Sequence, residues 1–376
     1  VQSRLSLLFS ALMLAALLFA AATPAAAADT PGKDGFLLAL PGYEFAFPRD
    51  HGTHDAYKTE WWYYTGNLRA TSGRRYGFEL TFFRVGALPP DTASESRWDL
   101  RNVALAHFAV TDANGRRFRF HEKLNRVSPF TASAATGYLD VFNEGWRAST
   151  NGDGSVRLVA EMDGDAIDLT LRSHKAPAVH GENGISVKAA GVGFASHYYS
   201  MTRLEAVGVV GTGGKRESCH GTAWMDHEFG SSSLRETQQG WDWFSVQLDN
   251  GTELMLYVIR RADGSADVTS SGSLITAEGS VIHLTRADLR VESTGRWHSR
   301  ASGATYPMGW RISVPKFGLV LVLKQILDDQ ELRTKGSTNV TYWEGAVDVD
   351  GAYSGTSVRG DGYVEMTGYD RPFKAP

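Results

Sequence analysis

From Thr59 onward, apolar residues come in short runs or at every second position, and no long stretch keeps a 3.6-residue period. Such spacing predicts antiparallel β-strands, because successive side chains of a strand point to opposite faces. Ile167, Leu169 and Leu171 alternate with Asp168, Thr170 and Arg172, while Phe118 and Phe120 alternate with Arg117, Arg119 and His121. Each pattern describes a strand with one wet face. Asp112-Ala113-Asn114-Gly115, Asn151-Gly152-Asp153-Gly154 and Asp249-Asn250-Gly251 carry residues that accept positive φ in tight hairpins. Short helices find room, for instance around Thr285 to Val291, without organising the fold.

The pattern also repeats. Glu60-Trp61-Trp62-Tyr63-Tyr64-Thr65-Gly66-Asn67-Leu68 matches Gly240-Trp241-Asp242-Trp243-Phe244-Ser245-Val246-Gln247-Leu248, and in both a turn and a second apolar strand follow. Further on, Ala206-Val207-Gly208-Val209, a hairpin and Gly221-Thr222-Ala223-Trp224-Met225-Asp226 match Ala346-Val347-Asp348-Val349, a hairpin and Gly362-Tyr363-Val364-Glu365-Met366-Thr367. Two diverged copies of one β unit explain this. Each copy has the size of a closed antiparallel barrel, which leaves no strand edge exposed. Serine and glycine near Gly230 to Ser233 place the boundary just before Trp241, with domains expected over 34–235 and 240–372.

Ahead of the strands, Arg4 precedes the apolar run Leu5 to Ala22, then Thr23, Pro24 and alanines ending at Ala28. A membrane anchor can use such a run, but the small-residue exit with an A-x-A pattern and the polar stretch from Asp29 favour a signal peptide over 1–28. The expected location is the bacterial periplasm or outside the cell. Hydrophobic residues at 42% and charged residues at 21% describe a globular protein, and a net charge of -4 gives no electrostatic reason to expect nucleic acid. Cys219 is the one cysteine, so no intramolecular disulfide forms. Stability must come from burial, for which 18 Phe, 14 Tyr and 10 Trp are available.

Several blocks, in this order, resemble the carotenoid 1,2-hydratase-like (CrtC/AttH-like) family. They are Phe47-Pro48-Arg49-Asp50-His51-Gly52 with Thr59-Glu60-Trp61-Trp62-Tyr63-Tyr64, Gly221-Thr222-Ala223-Trp224-Met225-Asp226-His227-Glu228-Phe229-Gly230, Gly240-Trp241-Asp242-Trp243-Phe244, and Tyr363-Val364-Glu365-Met366-Thr367-Gly368-Tyr369. The resemblance covers essentially the whole mature chain and implies an all-β fold of two tandem lipocalin-like antiparallel β-barrels. Fungal pericyclases that close rings on polyketides look similarly built, so the architecture hosts different chemistries. The family's hydratases carry His-x-Trp followed by Tyr-x-Asp, and the matching places here read His197-Tyr198-Tyr199 and Trp224-Met225-Asp226. The ionisable pair is kept and the aromatics are exchanged, which implies a different substrate shape.

Adding water to an isolated alkene requires a dry acid to protonate carbon, rings to face the cation, and a placed water. Asp226 follows an apolar strand where desolvation raises a carboxyl's pKa, which suits a general acid. Trp224, Tyr199 and Trp241 offer ring faces, and His197 titrates near neutrality and suits the water. The alternative is structural, with Asp226 capping the turn before Phe229-Gly230 and His197 a hydrogen-bonded strand histidine. The second copy has Thr367 and Gly368 in place of Asp226 and His227, so acid chemistry is expected in the first half or at the junction. Trp61, Trp62, Tyr198, His227, Trp241 and Trp243 are the ligand-binding candidates, as core aromatics that also face a ligand in a wide barrel.

His51-x-x-His54, His220 and His227-Glu228 offer metal-ligand atoms, but no second close-spaced pair completes a familiar signature, and no metal or other cofactor is expected. His51, His54, Tyr57 and Glu60 suit a polar plug leading into the first strand, with Glu60 in a salt bridge. No P-loop, dinucleotide fingerprint or nucleophile elbow is present. Three readings follow: a cofactor-free hydratase or isomerase acting on an isoprenoid-like or other unsaturated molecule, a non-catalytic carrier of lipid or another hydrophobic ligand, and a secreted hydrolase or carbohydrate binder. The first two lead, with a hydrophobic small molecule or lipid as the expected partner.

Overall fold

The computed structural model describes residues 30–374 apart from 94, 95, 97, 98, 183, 232 and 233. The expected signal peptide and the serines at 232 and 233 lie outside the described residues. Two antiparallel sheets account for nearly all regular structure. The first contains β1 (Thr59–Ala70), β2 (Arg75–Gly86), β3 (Asn102–Asp112), β4 (Arg117–Arg126), β5 (Ala132–Ala134), β6 (Asp140–Asn143), β7 (Trp146–Thr150), β8 (Val156–Met162), β9 (Asp165–Ser173), β10 (Ala178–Val179), β11 (Ile185–Val187), β12 (Ala195–Thr212) and β13 (Lys215–Gly230). The second contains β14 (Gln238–Leu248), β15 (Glu253–Arg261), β16 (Ser271–Ile275), β17 (Val281–Thr285), β18 (Arg290–His298), β19 (Thr305–Val314), β20 (Leu319–Gln325), β21 (Glu331–Arg333), β22 (Thr341–Tyr353) and β23 (Thr356–Thr367).

The first sheet runs β4-β3-β2-β1-β13-β12-β9-β8-β7-β6-β5 and curls until its two edges meet through side chains. Lys123 reaches the Asn143 carbonyl, Asn125 bonds Asn143, and His121 lies 2.9 Å from Asp165. That is a near-barrel. The second sheet runs β17-β16-β15-β14-β23-β22-β20-β19-β18 and stays open as a half-barrel. In both, the aromatic-rich first strand lies between its hairpin partner and the last strand: β1 pairs β2 and β13, and β14 pairs β15 and β23. The duplicated sequence thus becomes a duplicated topology, and the two lipocalin-like units are unequal in closure. The helix expected near Thr285 is a single 3₁₀ turn, Arg286–Asp288.

Each sheet buries its own core, around Phe78, Phe108 and Trp146 in the first and Phe244, Trp310 and Trp343 in the second. A third apolar cluster joins the outer faces of both sheets through Tyr63, Tyr198, Trp224, Trp243, Met255, Tyr257 and Tyr363. The sheets come so close that a Cβ on Gly77 would stand 2.9 Å from the Ala346 Cβ, so glycine is required there. Polar contacts frame this junction: Arg75 reaches Asp361 at 2.9 Å and also Asp348, while Lys175 reaches Glu253 at 2.7 Å. One strand differs from expectation. On β4, Arg117 and Arg119 are exposed as expected while Phe118 and Phe120 pack against Leu332 and Tyr342 of the other unit, but His121, expected on the wet face, turns inward to stack on Phe108.

Candidate functional site

A cavity of about 210 Å³ lies between the two sheets, walled mainly by Trp61, Tyr63, Phe83, Tyr198, Trp241, Trp243, Tyr257 and Ile259. Its placement follows from strand alternation. Trp61 and Tyr63 on β1, Tyr198 on β12 and Asp226 on β13 point away from the first barrel's interior, and the second unit covers them. A barrel face that would meet water in a single domain is here the wall of a partly enclosed, largely apolar pocket.

Asp226 sits in that wall, 4% exposed. Ser200 lies directly opposite it in the β12–β13 pairing, and its hydroxyl donates to Asp226 Oδ1. Trp224 Nε1 donates to the same oxygen at 2.5 Å, and the Tyr198 hydroxyl donates to Oδ2 at 2.5 Å. The second unit secures this arrangement from outside: Trp243 Nε1 donates to the Tyr198 hydroxyl at 3.1 Å, and His180 bridges Ser200 at 2.6 Å and Ser273 at 2.9 Å. Burial pushes the Asp226 carboxyl up to about 7 despite these donors. β13 runs on to Gly230, so Asp226 caps no turn.

Other charges share the pocket. Lys188 lies 2.8 Å from Glu228, with its ammonium 4.4 Å from the Tyr257 ring centre and 5.2 Å from that of Tyr198. Burial opposes its charge, but Glu228 outweighs burial and holds its pKa above the ordinary value. Glu344 accepts from the Tyr63 hydroxyl at 2.7 Å, and Glu365 accepts from Trp241 Nε1 at 3.2 Å. Burial and neighbouring carboxyls raise Glu344 well above the usual range and Glu365 to about 7. Glu79, fully buried on β2, is pushed by burial up to about 8 and has Oε2 unpartnered among the described residues.

Glu79 carries a consequence for stability. Its pKa is higher folded than unfolded, so between about 4.5 and 8 the folded chain binds more protons and stability falls as pH rises. Glu79→Gln mimics the protonated form. The variant is expected to gain melting temperature relative to the parent as pH rises through that window, measured by thermal unfolding at both ends; a pH-independent difference contradicts the assignment.

The opposite face of the same strands builds a different network inside the first barrel. His197, Tyr199 and His227 point inward there, away from the cavity. Tyr199 Oη lies 2.7 Å from His51 Nδ1 and 3.0 Å from His227 Nδ1. Glu60 Oε1 lies 2.9 Å from His227 Nε2 and 2.7 Å from His54 Nδ1, while Arg84 Nε donates to Glu60 Oε2 at 3.0 Å. Burial opposes ionisation of Glu60, but His227, His54 and Arg84 hold it well below the ordinary carboxylate range. The ring of His197 stacks on Tyr43 at 4.5 Å, and burial pushes its pKa down to about 4.

His54, Glu60 and His227 form a trio whose ligand-type atoms fall within 4.8 Å of one another. The donor set fits a metal poorly. Its histidine nitrogens already face the carboxylate, and the Arg84 guanidinium on the same group repels a second cation. His220 lies apart, exposed on β13, and Glu228 faces the other side of the sheet from His227.

Of the residues singled out from sequence, Asp226, Tyr198, Trp61, Trp241 and Trp243 line the cavity, with Trp224 bonded directly behind Asp226. His197, Tyr199, Trp62 and His227 belong to the barrel interior, so His197 and Asp226 do not share a cavity. The reason is parity: His197 is an odd number of strand positions from the register partner of Asp226, and neighbouring strand residues face opposite ways. Lys188, Ser200, His180, Glu344 and Glu365 were not anticipated. A signal was present for both carboxylates: Glu344 follows Tyr342-Trp343, and Glu365 interrupts the apolar run of Tyr363, Val364 and Met366.

Fold and site together define a class: a double lipocalin-like protein whose aromatic pocket lies between its two units. The chain belongs to the AttH-like family, whose profile matches residues 38–369. A crystal structure described as an AttH from Nitrosomonas europaea is 31% identical, with a TM-score of 0.78 over 88% of this chain and 98% of that one. Kievitone hydratase from Nectria haematococca shares the fold at 14% identity, with a TM-score of 0.67 over 91% of this chain and 96% of that one. CghA, solved with Sch210972, does so at 15% identity, with a TM-score of 0.54 over 90% and 98%. No curated protein matches. Among the described residues no helix is long and apolar enough to cross a membrane.

Proposed function

We propose that this chain is an exported protein that takes an apolar, unsaturated, isoprenoid-like molecule into the junction cavity and hydrates or isomerises a double bond without a cofactor. Asp226 gives the proton. The observation that carries this reading is a carboxyl buried in an aromatic wall with its pKa near neutrality, where an acid is both protonated and able to transfer its proton. Trp241, Trp243 and Tyr257 supply ring faces to a developing cation, and the apolar walls limit water to what the reaction needs. Proteins of similar fold named as a hydratase and solved with an organic ligand support a small-molecule site. The export part rests on the N-terminal sequence pattern.

A second reading is a periplasmic carrier of the same kind of ligand. It is favoured by the fact that both Asp226 oxygens already have donors, so the group is satisfied without chemistry. One experiment addresses both. Purified protein is incubated with geraniol, farnesol and a monounsaturated fatty acid in ¹⁸O-labelled water, then analysed by native mass spectrometry and by mass spectrometry of extracted products. One bound probe with a labelled or isomerised product supports catalysis. Binding without product selects the carrier, and absence of both overturns the reading.

A further inference from the structure

We propose that Glu365 is a second catalytic carboxyl, presented to the cavity by the C-terminal unit, and that it accepts a proton from water or substrate while Asp226 donates one. This rests on the reading above and deepens it. In the duplicated sequence Glu365 stands where the first copy has Trp224. One unit thus backs its carboxyl with a tryptophan, and the other puts a carboxyl in that place.

The geometry links the two acids across the junction. Glu365 lies directly opposite Trp243 in the β14–β23 pairing, on the face that meets the first unit. Trp243 in turn holds the Tyr198 hydroxyl that donates to Asp226. Glu365 is less enclosed than Asp226, and its Oε2 accepts from Trp241 Nε1. Both carboxyls line the one cavity.

The titratable groups that influence Glu365 are Asp226 and Glu228 from β13, Asp242 from β14, Glu344 from β22, Glu79 from β2, and the phenols of Tyr63 and Tyr342. Glu228 is neutralised by Lys188. Glu344 is opposite Glu365 in the β22–β23 pairing, and burial, with the like charges of Glu79 and Glu365, favours its protonated form. Asp226 and Glu365 remain, one from each unit on the same cavity, and the charge of Asp226 raises the proton affinity of Glu365.

Hydration then balances without a co-reactant other than water. The Asp226 O–H bond breaks as a C–H bond forms at one alkene carbon, water oxygen bonds the adjacent carbon, and the water proton passes to the Glu365 carboxylate. Isomerisation differs only in that Glu365 takes its proton from carbon. A proton returning from Glu365 to Asp226 through water resets the pair.

The test has two arms. In the first, wild type, Glu365→Gln and Asp226→Asn, with side-chain carboxyls labelled with ¹³C, are titrated by NMR without ligand. Each substitution is expected to lower the remaining partner's midpoint by about one pH unit or more, as for interacting sites. Independent titrations overturn the pair. In the second, the ¹⁸O assay with geraniol or farnesol is expected to show kcat lowered about 100-fold in Glu365→Gln, with KM little changed and partial recovery in Glu365→Asp. Loss with Asp226→Asn but not with Glu365→Gln rejects Glu365 and leaves the proposed function standing. If neither substitution alters turnover, the acid assignment itself falls. Near-UV circular dichroism of each variant separates these outcomes from misfolding.

Discussion

Asp226→Asn is expected to reduce turnover of an accepted unsaturated substrate by about 10²–10⁴-fold, the usual contribution of a positioned acid. Asparagine keeps the size of the side chain, and its Oδ1 still accepts from Ser200 and Trp224. What it cannot do is deliver a proton to carbon. Ligand binding should therefore be nearly unchanged, as read by quenching of the cavity tryptophans with farnesol. Folding should not suffer either. A carboxyl raised to about 7 is higher folded than unfolded, so wild type loses stability as pH rises from about 4 to 7, and the asparagine variant lacks that loss. The variant should thus unfold at a higher temperature relative to wild type at pH 8 than at pH 5. Unchanged turnover in a folded, ligand-binding variant would falsify the role of Asp226 as acid.

Arg84→Met is expected to destabilise the protein by about 3–5 kcal/mol, the range for breaking a buried ion pair from one side. Arg84 is 4% exposed and holds more than Glu60. Its guanidinium also donates to the carbonyls of Tyr57 at 2.7 Å and His54 at 3.1 Å, and to Asn102 at 3.2 Å. Removing it leaves the Glu60 carboxylate with His54, His227 and Thr53 but no permanent cation, and takes one donor from the carbonyls of Tyr57 and His54, the latter keeping the Tyr57 N–H. Methionine retains much of the apolar stem, so the loss reports charge and hydrogen bonding more than volume. The double variant Glu60→Gln with Arg84→Met should recover part of the loss, because no buried charge is then stranded. Urea unfolding followed by tryptophan fluorescence measures both. A single-variant loss below about 1 kcal/mol, the value typical of an exposed pair, contradicts this account.

These two sites divide the labour of the same strands. β1 and β13 carry one alternate set of side chains into the barrel, where Glu60, His227 and Trp62 anchor the N-terminal segment. The other set faces the C-terminal unit. Because the two sets share a backbone, disturbance at Arg84 is expected to reach the cavity through β1 and β2 while leaving the Asp226 contacts chemically intact.

Much of this was legible along the chain. The turn sequences Asp112 to Gly115, Asn151 to Gly154 and Asp249 to Gly251 do join β3 to β4, β7 to β8 and β14 to β15; the positive φ falls on Gly154 and Gly251 as expected, but in the first turn on Arg116, one residue past the glycine. The repeat was legible because equivalent strands keep equivalent aromatic residues, and family membership followed from several ordered blocks. The sequence also put Asp226 beside Trp224 and an apolar run, which is enough to predict desolvation.

Which face each of those residues serves was decided only by the docking of the two units. Along β1 nearly every residue is buried, from Trp62 through Leu68, because one face fills the barrel and the other fills the junction. Alternation of apolar and polar residues, the signal that assigns faces, vanishes when both faces are dry. Trp61 and Trp62 therefore read alike in sequence and part company in space, as do Tyr198 and Tyr199. For the same reason His197 and Asp226 appear as partners along the chain and are separated by a sheet, while Glu365, far away in sequence, reaches Asp226's cavity from the facing unit.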